Sequence, residues 1–109
     1  MFDLPALEAA AALIHRVFPT TPQYAWPLIA IRTGVETWVK HENHTPTGAF
    51  KVRGGIVYMD RLTRERPSVL GVISATRGNH GQSLAYSGAR LGVPLNRQGS
   101  GHDCLGLPK

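Results

Sequence analysis

The sequence predicts an α/β protein, a partial three-layer αβα arrangement built on a parallel sheet. Extended and helical patterns alternate between Val35 and Leu91, and glycine or proline marks most changes of pattern. Two short loops rich in Thr, Gly, Asn and His fall where strands should end. Such alternation favours parallel strands joined by right-handed crossovers, with ligands gathering at the carboxyl ends of the strands.

The elements follow in order. Leu4 to Val17 is rich in Ala and Leu, has Asp3 as a candidate N-cap and is stopped by Pro19, so it reads as a packing helix. Prolines interrupt the stretch from Thr20 to Pro27, after which Leu28 to Ile31 suits a short extended piece. After Gly34, Val35, Thr37, Val39 and His41 alternate with Glu36, Trp38, Lys40 and Glu42, which predicts a strand over Val35 to Glu42. His44 to Gly48 is a loop, and a helix follows from about Thr47 to Arg66, ended by Pro67.

Gly54 and Gly55 inside that helix each cost roughly 1 kcal/mol relative to alanine, so close backbone approach is the better reason for them. Val69 to Ile73 suits a short buried strand, and Asn79 to Leu91 a helix closed by Gly92. A further strand is due near Val93. The chain instead turns polar and glycine-rich after Pro94, so residues 1–94 are expected to form a truncated domain and 95–109 an aperiodic, disordered tail.

Composition bounds the function. A chain of 109 residues with 42% hydrophobic and 17% charged residues is globular, though its core is small and its stability alone marginal. The net charge of +5 admits a small basic module binding an anionic partner. The basic residues are scattered, however, and Arg61, Arg64 and Arg66 read as a solvated helix end, so no nucleic-acid partner is expected. A single cysteine, Cys104, excludes an internal disulfide, no Cys/His cluster has zinc spacing, and no apolar run spans a bilayer. These features point to a cytoplasmic protein without a metal site or membrane partner.

The chemistry concentrates in two runs. In the first, Lys40 to Gly55, Lys51 lies at the first turn of a helix, where the helix end and nearby Arg53 would favour a neutral, nucleophilic amine. The same residue also reads as an ordinary surface lysine. The second, Ser74 to Gln82, sets small, hydroxyl and amide residues at a strand-to-helix junction, with Gly78 allowing close approach of an anion. Helix capping by Ser74, Thr76 or Asn79 is the plainer reading there, and His80 alone fits a structural role.

The run Pro46-Thr47-Gly48-Ala49-Phe50-Lys51-Val52-Arg53-Gly54 resembles the lysine motif of serine/threonine dehydratases, and Ser74 to Gln82 resembles that family's Ser-Gly-Asn-His loop. The resemblance covers roughly Pro22 to Pro94 and implies the N-terminal part of a fold-type-II, tryptophan-synthase-β-like enzyme dependent on pyridoxal 5′-phosphate. It implies that Lys51 holds the cofactor as a Schiff base and takes the substrate α-proton. Phe50 would pack beside the cofactor and Asn79 would bond its 3′ oxygen, while Thr76, Gly78, Asn79 and His80 would surround the substrate carboxylate.

Two positions depart from the common pattern: Ala49 replaces a frequent serine, and Arg77 stands where a small residue is usual. The implied reaction converts a hydroxy amino acid, threonine or serine, into a 2-oxo acid and ammonia. The family's phosphate-cradling loop lies beyond this stretch, and Gly99-Ser100-Gly101 is no substitute, so the chain alone is expected to be inactive unless a second chain completes it. Full-length relatives are expected to be homo-oligomeric. Threonine synthase and cysteine synthase are the alternative parents, and the paired Phe-Lys and Gly-Asn-His runs favour dehydratase.

Overall fold

A computed structural model describes residues 3–76 and 78–97. Helix α1 spans Leu4–His15, and the Asp3 carboxylate caps it by accepting from the Ala6 amide at 2.9 Å. Strand β1 (Gln23–Ala25), helix α2 (Pro27–Thr33) and strand β2 (Trp38–Lys40) follow. A 3₁₀ turn, Glu42–His44, then leads through a loop to helix α3, Lys51–Glu65. Strand β3 (Val72–Ser74), helix α4 (Asn79–Leu91) and strand β4 (Leu95–Arg97) complete the described chain.

The parallel sheet is present as β3 and β4, in register from Val72 opposite Leu95 to Ser74 opposite Arg97, with α4 as the crossover between them. Strand β2 is not part of it. It pairs antiparallel with β1 as a separate ribbon, Gln23 opposite Lys40, so the two loops do not leave neighbouring strands of one sheet. An alternating pattern reports which faces a strand has, not which partner it takes. The expected alternation from Val35 to Glu42 holds only in its middle: Thr37, Val39 and His41 are half-buried while Glu36, Trp38 and Lys40 are exposed. Val35 is exposed, Glu42 is half-buried in the 3₁₀ turn, and the strand itself is Trp38–Lys40.

Three further expectations are corrected. Residues 28–31 are helical, because Pro27 presets the first turn and Gly34 closes the helix at φ 74°, and this Pro-to-Gly frame outweighs the β-branched residues between. The strand expected over Val69 to Ile73 starts at Val72, and Leu70 and Ile73 are exposed at 93% and 69% rather than buried. Leu95–Arg97 pairs with β3 where the tail was expected to begin, because the Val72 amide and the Pro94 carbonyl, 2.8 Å apart, set the register despite the polar Asn96. The rest of the predicted tail lies outside the described residues.

Packing is led by α3 against α4, with α1 against α3. Ile14, Phe18, Val52 and Ile56 form one buried cluster, and Met59 and Val52 are completely covered. The two main helices approach at glycines. A Cβ on Gly55 would fall against Ser83 Oγ, 2.9 Å from the Ser83 carbonyl oxygen and 3.0 Å from Ser87 Oγ. Gly54, expected to share this role, has nothing within 4 Å and faces open space instead. The arginines at the end of α3 are solvated as expected, Arg61 pairing with Glu65 and Arg64 with Asp60 across one helical turn.

Candidate active site

The loop before α3 is held by its own side chains. Thr45 is buried, and its hydroxyl oxygen accepts from the Ala49 amide at 2.9 Å while its O–H donates to the Ala49 carbonyl at 2.9 Å. Gly48 turns the chain at φ 65°. Lys51 therefore starts α3 at a defined place, and the buried Ser83 hydroxyl of α4 donates to its carbonyl oxygen at 2.6 Å.

From that start, Lys51, Gly54, Gly55 and Tyr58 lie on one face of α3 at helical spacing. They form one wall of a cleft of about 540 Å³. Val72, Ile73 and Ser74 of β3 form another wall, with His80 and Leu84 of α4 and the Phe50 ring completing it. Lys51 lines this space and is exposed. The cleft sits at the carboxyl end of β3 and the start of α4, where an open α/β sheet collects ligands.

The start of α4 is built for close approach. Gly78 is its N-cap, at φ 74° and ψ −143°, and carries no side chain with which to cap the helix. Among the described residues the first helical bond runs from the Gln82 amide to the Gly78 carbonyl at 3.2 Å, so the amides of Asn79 and His80 precede the helical ladder. Backbone donors at a helix start suit an anion.

The expected site residues are thus partly gathered. Lys51, Phe50 and His80 share the cleft, while Gly78 and Asn79 stand at the adjoining helix start and half-buried Thr76 precedes them. Arg77 lies outside the described residues. Arg53 is not beside the amine. Its guanidinium is bound to Glu42, Nε to Oε2 at 2.7 Å and Nη2 to Oε1 at 3.0 Å. Two residues along a helix is more than half a turn, so Arg53 faces away from the cleft.

The Arg53 hydrogen bond holds the Glu42 carboxyl below its usual range; burial opposes this, and the Thr21 hydroxyl, donating at 2.6 Å, assists. Sequence reasoning missed Tyr58 and Ser83. Tyr58 was findable, standing seven positions after Lys51 and hence on the same helical face. Nothing local announces Ser83, whose partner is 32 residues away.

A family model described as pyridoxal-phosphate dependent enzyme matches residues 15–96, and the chain belongs to that family. Within it the chain is similar to the serine/threonine dehydratases. A chloroplastic biosynthetic threonine dehydratase of Solanum lycopersicum is 38% identical over 79 residues, 72% of this chain and 13% of that protein. The biosynthetic L-threonine dehydratase of Escherichia coli is 38% identical over 82 residues, 75% of this chain and 16% of that protein. An L-threonine ammonia-lyase of Geobacter sulfurreducens is 44% identical over 63 residues, 58% of this chain and 15% of that protein.

Among solved structures, a pyridoxal 5′-phosphate-dependent aspartate racemase superposes with a TM-score of 0.76 at 30% identity, covering 84% of this chain and 29% of that one. That match identifies the architecture as part of the αβα fold-type-II layout. The chain spans between 13% and 20% of the first relatives' lengths. No described helix is long and apolar enough to cross a membrane.

The cleft suits a flat aromatic aldehyde. It offers an exposed primary amine, apolar surface from Val72, Ile73, Leu84 and Phe50, and room beside Gly54, where a Cβ would otherwise project.

Proposed function

We propose that this chain supplies the lysine and substrate-carboxylate elements of a pyridoxal-phosphate dependent ammonia-lyase acting on threonine or serine. One observation carries the proposal: a single cleft holds Lys51, Phe50 and His80 beside the glycine-led start of α4, in a chain whose relatives bear threonine dehydratase names. When bound, the cofactor supplies an electron sink for charge developing at the substrate α-carbon.

The residues of this chain do the rest. The Lys51 amine would hold the cofactor through its aldehyde carbon and would take the substrate α-proton. Phe50 would pack beside the cofactor and Asn79 would hold its 3′ oxygen. Thr76, Gly78, Asn79 and His80 orient the substrate carboxylate against the start of α4. The net products are a 2-oxo acid and ammonia.

We propose further that these 109 residues by themselves form no product from threonine, a reading supported by a parallel sheet of two described strands. Residence in a reducing compartment, the cytoplasm, agrees with the single cysteine, although two relatives are named as chloroplastic and mitochondrial. The racemase match supports a second reading, in which the same lysine moves an α-proton without loss of the β-hydroxyl.

The chain has three lysines, Lys40, Lys51 and Lys109, which makes the test direct. Incubation with pyridoxal phosphate, borohydride reduction and peptide mapping should place the label on Lys51 and lose it in Lys51→Ala. Equal labelling of all three lysines would overturn the assignment. Mixing with a downstream segment of a dehydratase then separates the readings, since 2-oxobutanoate marks the lyase and an inverted amino acid the racemase.

A further inference from the structure

The loop that carries Lys51 is bracketed by two charged residues outside the cleft. Glu42 stands in the 3₁₀ turn before the loop, and Arg53 lies two residues into α3 beyond it. Their side chains meet as a two-pronged pair, half-buried at 20% and 23% exposure. Thr21, buried ahead of β1, completes the group. Its hydroxyl donates to Glu42 Oε1 at 2.6 Å and accepts from Arg53 Nη2 at 3.2 Å. The guanidinium also lies 5.1 Å above the Phe18 ring.

We infer that Thr21, Glu42 and Arg53 form a clasp that positions Lys51 for reaction with its carbonyl partner. The inference rests on the reading of Lys51 as the cofactor lysine. The clasp closes the segment from Glu42 to Arg53 on the side of α3 away from the cleft. On the other side, Ser83 holds the Lys51 carbonyl at 2.6 Å. The first turn of α3 is therefore fixed from opposite faces. Below it, Val52, Ile56 and Met59 bury the helix independently of the clasp, so its loss frees the first turn without removing the core.

The geometry also demands these residue types. A forked guanidinium reaches both carboxylate oxygens and the threonine hydroxyl together, whereas a lysine ammonium cannot reproduce that fork. Arg53→Lys thus preserves charge and removes geometry. A small change in the placement of a reacting group costs far more in its chemistry than in the stability of the fold.

The test follows covalent capture of pyridoxal phosphate at Lys51 in wild type, Glu42→Gln and Arg53→Lys, with folding monitored by circular dichroism and urea midpoint. Amide hydrogen exchange over residues 45–53 supplies a readout that needs no cofactor. Both variants should remain folded, lose protection in residues 45–53 but not in α4, and bind the aldehyde on the order of ten- to a hundredfold more weakly. Wild-type capture in folded variants, with only the urea midpoint lowered, overturns the positioning role. Unchanged exchange over residues 45–53 overturns the clasp itself. Failure of wild type to label at Lys51 overturns the cofactor reading and the inference with it, a result distinguishable by its appearance before any substitution.

Discussion

Two neighbouring glycines of α3 should respond to alanine with opposite signs. Gly54 and Gly55 share one helix and the same intrinsic cost, so replacing either should gain roughly 0.5–1 kcal/mol from restricting the unfolded chain and favouring the helix. Their surroundings differ. A Cβ at Gly54 meets nothing within 4 Å, and the gain stands. At Gly55 the Cβ falls against Ser83 Oγ, which can rotate, but also 2.9 Å from the Ser83 carbonyl oxygen, which cannot. Forcing the helices apart there costs about 1–3 kcal/mol, which exceeds the gain.

With a urea dependence of about 1–3 kcal/mol per molar, the Gly54→Ala midpoint should rise by roughly 0.5 M and the Gly55→Ala midpoint should fall by a similar amount or more. Circular dichroism at the helix band measures both. If Gly55→Ala were as stabilising as Gly54→Ala, the close packing of α3 on α4 through Gly55 would be refuted.

Two other perturbations test separate features. Gly78→Ala should cost about 1–3 kcal/mol in the same urea assay, because φ 74° with ψ −143° is a conformation that side chains oppose, and stability equal to wild type would refute that geometry. Glu42 has a folded-state pKa below its usual 4.5, so its contribution is fully present above that value and is lost as pH falls through the lowered one. The stability gap between wild type and Glu42→Gln should accordingly be flat from about pH 6 to 8, at roughly 1–3 kcal/mol, and should close in acid. A gap that widened on acidification would contradict the pairing with Arg53.

Lys51 shows where local information suffices. Its loop and the glycine-closed helix from Asn79 to Leu91 were legible because caps, turns and helical period act within a few residues, although the helix expected from about Thr47 begins only at Lys51. Helix α2 is legible in principle through Pro27 and Gly34, although the prolines before it suggest an extended piece. The partners were not legible. Nothing in the run Val35 to Glu42 says that β2 pairs with β1 rather than β3, since alternation names faces and is silent on neighbours.

The same holds for Arg53. Sequence proximity placed it beside the Lys51 amine, while the helix turns it through more than half a revolution toward Glu42. By itself, the sequence determined which residues carry chemistry and on which kind of element each stands, because propensity and capping are short-range. Only the tertiary structure decided which of them meet: Lys51 with His80 across one cleft, Ser83 with the Lys51 carbonyl, and Arg53 with Glu42 and Thr21. Those choices depend on packing between segments up to 32 residues apart, where burial and hydrogen-bond satisfaction select a partner that no local pattern encodes.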